Sequence, residues 1–179
     1  AYKMHEHYGE LMSTAVCAMG GTSIGHREIF AATTIDIQHG WWDYKQQKSW
    51  SPGEPNNCFA RLEDTLDAAK LAFEKDGDSG ECVGIFWVQG EADASELRQA
   101  NNYENSARKL KAAIRNAIKS RGLTSLDEDK IPFIHPKILE RTGDWQYAST
   151  VNAAIQTLAD EDPYSRTFSV EDLTLADAI

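Results

Sequence analysis

An α/β fold with a parallel sheet is predicted by three features of this 179-residue chain. Two apolar runs, "STAVCAM" (13–19) and "CVGIFWV" (82–88), are almost unbroken, as parallel strands covered on both faces should be. Segments of helical period separate the strand-like runs, which gives the alternation typical of βαβ units. Each of the two runs also stops at a glycine, Gly20-Gly21 in one case and Gln89-Gly90 in the other.

Taken in order, the first run leads into "GGTSIG" (20–25). Residues 39–57, "HGWWDYKQQKSWSPGEPNN", are rich in Trp, Pro, Gly and Asn and read as a long surface loop. Phe59, Leu62, Leu66, Ala69 and Phe73 recur at three and four, which predicts a helix over 57–75. The second strand follows at 82–88. A helix over 95–120 is predicted by Leu97, Ala100, Tyr103, Ala107, Leu110, Ile114 and Ile118, with Gly122 as its stop. "IPFIHPKI" (131–138) is a third strand. Val151, Ala154, Ile155 and Leu158 mark a helix over 146–159, and "RTFSV" (166–170) is the last strand. The length suits one domain spanning 1–179.

Composition narrows the function classes. The chain is 41% hydrophobic and 26% charged, with a net charge of -10, which argues against a nucleic-acid partner. No run approaches the roughly 20 apolar residues of a membrane span, and the opening "AYKMHEHYGE" is too polar for a signal peptide. The compartment is not fixed by the sequence. Cys17, Cys58 and Cys82 match no zinc or redox spacing, and Cys17 and Cys82 sit in apolar runs as buried thiols would. The five histidines are scattered, so no metal site is expected.

Ligands of open parallel sheets bind beyond the carboxyl ends of the strands. Gly20-Gly21 and Gln89-Gly90-Glu91 both fall there. Backbone N–H groups and an amide side chain converging on one point could hold an oxyanion. Gln89 is therefore either a loop-capping amide or a hydrogen-bond donor in a cleft. Glu91 and Asp93 are too close in one turn to face each other across a sugar as glycosidase carboxylates do, so Glu91, like Gly90, is assigned a structural role. "GTSIG" (21–25) also satisfies the G-x-S-x-G nucleophile elbow, with Ser23 as nucleophile and His135 as base. Only one short strand precedes it, however, and His135 lies inside a strand rather than on a loop. Arg115 reads as a surface ion-pair partner.

"GGTSI", "GIFWVQGEADA" and the Tyr-bearing "NNYENSARKLKAAIR" together resemble the sialate O-acetylesterase and plant-type acetylxylan esterase group of the SGNH (GDSL-like) hydrolases. The likeness continues through "IPFIHPKI", "VNAAIQTLA" and "SVEDLTLADAI", and so covers nearly the whole chain. It implies a flavodoxin-like three-layer sandwich, a Ser-His-Asp triad, no cofactor and an acetylated carbohydrate as substrate. Many such relatives are exported. By resemblance Gly21 and Gln89 supply oxyanion-hole donors and Asp177 is the triad acid of an Asp-x-x-His block. The family's Gly-Gln-Ser-Asn motif does not occur here, and the block's histidine would follow Ile179. The expectation is thus a partial domain, incomplete at both ends and inactive alone. Trp41, Trp42, Tyr44 and Trp50 are candidates for a sugar platform, or else a hydrophobic cluster pinning their loop. Rival readings are a non-catalytic carbohydrate-binding protein and an α/β-hydrolase using Ser23.

Overall fold

The computed structural model describes residues 14–17, 24, 58–77, 80–140 and 143–171. Their order is α1 (Cys58–Asp76), β1 (Ile85–Phe86), α2 (Leu97–Ser120), β2 (Phe133–Ile134), α3 (Ala148–Asp160) and β3 (Ser165–Arg166). The strands form a parallel sheet in the order β1-β2-β3, with Ile85 opposite Phe133 and Phe133 opposite Ser165. The fold is α/β, as the alternation of apolar runs and helical stripes predicts.

Parallel pairing reaches past the two-residue strands. Backbone N–H groups of Ile85 and Trp87 donate to the carbonyls of Pro132 and Ile134, each at 2.8 Å. Those of Phe133, His135 and Lys137 donate to Tyr164, Arg166 and Phe168. Of the expected first strand, residues 14–17 are described and take no strand pairing among the described residues.

Alternation along each strand decides which side chains go inside. Trp87, Gln89, Phe133, His135 and Ser165 are buried beneath α2 and α3. Phe86, Val88, Ile134 and Phe168 point to the opposite side and are exposed, with the Phe86 and Phe168 rings stacked at 6.5 Å. Cover on both faces was expected for such apolar runs. Among the described residues helices pack on one face.

The stripe of α2 is buried at Ala100, Tyr103, Ala107, Leu110, Ile114 and Ile118, whereas Leu97, one step beyond it, is exposed. Gly122 (φ +68°) ends the helix. Its N–H donates to Lys119 O and the Leu123 N–H to Ile118 O, the paired bonds of a Schellman cap. Arg115 departs from expectation. It is an ion-pair partner, but a buried one: its Nη1 lies 2.7 Å from Asp162 Oδ2 and its Nε donates to Ile131 O at 2.9 Å. The cysteines also differ, since Cys58 is fully buried while Cys17 and Cys82 are partly so. No described helix is long and apolar enough to cross a membrane.

Candidate functional site

The end of β1 turns sharply at Gly90, whose φ of +133° is open to glycine alone. Ala94 N–H then donates back to Gly90 O at 2.9 Å and closes a turn that runs into a 3-10 segment at Asp93–Ser95. The α3 side is tied on by Tyr147 N–H, which donates to Ala94 O at 2.9 Å. This compact turn brings Asp93 back beneath the strand end, where it is 1% exposed.

Four polar side chains meet there. Gln89 Nε2 donates a short hydrogen bond to Asp93 Oδ2. Tyr103 Oη, from α2, lies 3.0 Å from Gln89 Oε1 and 3.1 Å from the Gln89 carbonyl. His135 Nε2, from the end of β2, lies 3.0 Å from that carbonyl and 3.2 Å from Tyr103 Oη. A carbonyl only accepts, so Nε2 carries the proton of a neutral imidazole and the Tyr103 hydroxyl donates to a Gln89 oxygen. The same logic fixes the Gln89 amide. Turned over, its oxygen would face the Asp93 carboxylate.

Asp93 also reaches across the chain. The Ile24 backbone N–H donates to both its oxygens, at 3.2 and 3.1 Å. Ile24 lies three residues after Gly21 in the sequence, and the carboxylate ties it to the turn that carries Gln89. On the α3 side, Asn152 accepts from Ile138 N–H and donates to Ile138 O, both at 2.9 Å, and bonds Glu140 as well. It thereby holds the chain beyond β2 in the manner of a neighbouring strand. A partly open pocket of about 20 Å³ lies between the sheet and helices α2 and α3, lined by Trp87, Lys111, His135 and Ser165 among others; it has room for about one water.

Burial pushes the Asp93 carboxyl up to about 6, against the opposing hydrogen bonds from Gln89 and Ile24. Burial pushes His135 down to about 4, with the bond to Gln89 O opposing and the Lys111 charge assisting. The two shifts act oppositely on stability. Between pH 6 and 3.8 the folded protein holds the Asp93 proton that the unfolded chain has lost, so acidification stabilises. Between pH 6.5 and 4 the unfolded chain protonates His135 and the folded protein does not, so acidification destabilises. From pH 6 to 4 the contributions offset each other in the wild type. In His135→Gln, stability should rise on acidification by up to ~1.4 kcal/mol per pH unit, and in Asp93→Asn it should fall by a similar slope. Urea midpoints at half-unit intervals from pH 4 to 6.5 measure both slopes. Equal slopes in the two variants would contradict the assignment.

Of the expected site residues, Gln89 and Gly90 lie at this cluster. Glu91, given a structural role from the sequence, is exposed and takes no hydrogen bond or ion pair among the described residues, while Asp93 holds Gln89 and Ile24. His135 is enclosed, with Nε2 engaged inside the sheet. Gly21, Ser23, Trp41, Trp42, Tyr44, Trp50 and Asp177 lie outside the described residues. Sequence reasoning placed Tyr103 and His135 in apolar elements and passed over Asn152. In each case the available signal was a polar side chain within an apolar pattern, which a buried position obliges to find partners. No group of three or more His, Cys, Asp or Glu among the described residues could hold a metal ion.

These features define the class: an α/β protein with a polar cluster built at the carboxyl edge of a parallel sheet. The chain belongs to the family described as "Carbohydrate esterase, sialic acid-specific acetylesterase", whose model matches residues 1–179. A crystal structure of an Arabidopsis thaliana protein is similar at 22% identity and a TM-score of 0.48, over 72% of this chain. The match spans 45% of that protein's length. A comparison with curated proteins gave no match.

Proposed function

We propose that this chain is part of a serine esterase that removes acetyl groups from a carbohydrate, sialate or another acetylated sugar, with Gln89 as an oxyanion donor. The observation carrying this reading is the Gln89 amide, oriented at the carboxyl end of β1 by Asp93 and Tyr103. Membership of the carbohydrate esterase family supports the reaction class.

In this reading a serine hydroxyl from sequence flanking the chain attacks the acetyl carbonyl, and a flanking histidine takes its proton. Asp177 orients that histidine and stabilises its imidazolium form. Negative charge develops on the carbonyl oxygen, where the Gln89 amide and the Gly21 N–H receive it. The tetrahedral adduct collapses, the histidine protonates the departing sugar oxygen, and water then releases acetate from the acyl-serine. Trp41, Trp42 and Trp50 offer faces for a pyranose ring. The Ser23 reading draws no support from His135, whose Nε2 is held by Gln89 O and Tyr103.

The test is turnover of 4-nitrophenyl acetate and of an O-acetylated sialic acid by the full-length protein. Gln89→Ala should lower kcat by about 10²–10³-fold with little change in KM, as loss of one oxyanion donor does. The far-ultraviolet circular dichroism should be unchanged. A kcat within threefold of wild type would remove Gln89 from the reaction.

A further inference from the structure

We infer that Asp93 is the positioning residue that sets the two oxyanion-donor segments against each other, acting through the Gln89 amide and the Ile24 backbone. The inference rests on the reading of Gln89 as an oxyanion donor. Asp93 is 69 positions from Ile24 and four from Gln89, yet its carboxylate meets both. Such a bond joins the strand-end turn to the segment that follows Gly21 by a group that cannot drift, being 1% exposed and enclosed by the turn that carries it.

A carboxylate suits this place for a chemical reason. Both groups it faces are N–H donors, and an ionised carboxylate only accepts, so it can satisfy both without any choice of rotamer. Asparagine at this position has one accepting and one donating end. With its oxygen in the Oδ2 place, asparagine still accepts from Gln89, but its NH₂ stands at the Oδ1 place, 3.2 Å from the Ile24 N–H, donor against donor. Turned the other way, its oxygen faces Ile24 alone and its NH₂ meets the NH₂ of Gln89. Either rotamer therefore weakens the hold on one of the two segments, which only a group accepting at both oxygens keeps in place. Tyr103 is the second fixed point. It too is fully buried, and its hydroxyl meets both oxygens of Gln89.

The experiment is a double-mutant cycle in the full-length protein with 4-nitrophenyl acetate, together with hydrogen exchange at the Ile24 amide. Asp93→Asn should lower kcat by about 100-fold, the scale of a misplacement near 1 Å, with KM changed by less than about threefold. In a Gln89→Ala background the same substitution should lower kcat by less than about 10-fold, because its route through the amide is gone and only the Ile24 bond is left to lose. An undiminished 100-fold loss in that background would overturn the inference. The double variant Gln89→Glu/Asp93→Asn restores the donor–acceptor pairing without the amide donor, so it should recover Ile24 protection and leave kcat low. Should Gln89→Ala itself leave kcat unchanged, the oxyanion reading fails separately, and Ile24 exchange then decides the anchoring: faster exchange in Asp93→Asn supports it and unchanged exchange overturns it. If Asp93→Asn does not fold, Asp93→Ser, smaller and uncharged, replaces it in the same cycle with the same outcomes.

Discussion

Asp162→Ala is expected to lower the stability of the full-length protein by about 3 kcal/mol. The Asp162 carboxylate sits between Lys111 Nζ at 2.8 Å and Arg115 Nη1 at 2.7 Å, and accepts from Ser165 Oγ at 2.8 Å and Tyr164 N–H at 2.9 Å. Lys111 also donates to Leu158 O and Arg115 to Ile131 O. One carboxylate therefore joins α2, the end of α3, the start of β3 and the entry to β2. Burial alone would raise its pKa, but the bonds from Lys111, Ser165, Tyr164 N–H and Arg115 hold it well below the usual carboxylate range. Its removal leaves two cations whose side chains are 12% and 7% accessible without their shared counter-charge. The lower end of the 3–5 kcal/mol range applies, because the carboxylate keeps 13% of its own surface to water.

Urea unfolding should show a midpoint shift of about 1–2 M. Asp127→Ala is the control, since Asp127 pairs with Lys130 at 2.7 Å on an open surface, where its midpoint should not move. The depressed Asp162 pKa adds a pH signature. Its stabilisation is present above about pH 3.8 and is lost as pH falls below that value towards the folded pKa, so the variant should show a shallower acid limb. An Asp162→Ala midpoint equal to that of Asp127→Ala would refute the account.

Gly90→Ala should be comparably severe, at about 4 kcal/mol, from two separable causes. Backbone at φ +133° costs a side-chain-bearing residue roughly 1–3 kcal/mol. The added Cβ would also lie 2.9 Å from Val151 Cγ1, 3.3 Å from Tyr103 Oη and 3.4 Å from Ile138 Cγ2. Val151 and Tyr103 are both fully buried and have no open space to move into, so overpacking adds about 1–3 kcal/mol. Gly143→Ala isolates the first cause, since its φ is +121° and nothing lies within 4 Å of the added Cβ. Gly90→Ala/Val151→Ala should recover part of the steric share and none of the backbone share. Thermal unfolding of the three variants separates the contributions. Equal losses in Gly90→Ala and Gly143→Ala would mean that packing around the strand end is looser than described.

The helices were legible because a stripe at three and four is a one-dimensional record of a buried face. Tyr103, Leu110 and Ile114 in α2, and Val151 and Ile155 in α3, fall where the stripes put them. Strand positions were legible from apolar runs, but the covered face was not. "CVGIFWV" is apolar on both sides, and nothing in its order says that Trp87 goes inside while Phe86 and Val88 stay out. The motif Gln89-Gly90-Glu91 could be placed at a strand end, although which carboxylate anchors it could not. Asp93, two residues beyond Glu91, is the carboxylate that meets Gln89 and Ile24.

By itself the sequence determined the α/β class, the three described helices to within two residues at each end, and the strand-end position of Gln89 and Gly90. These depend on neighbours within a few residues, through periodicity and the freedom of glycine at positive φ. Only the tertiary structure decided that Asp93 holds Gln89 and Ile24 together, that His135 is an interior hydrogen-bond partner, that Arg115 is buried on Asp162, and that Asn152 pairs with Ile138. Each of these joins segments from different elements. A buried polar side chain must find its partner wherever packing brings one near, and that distance through space is written nowhere in the order of residues.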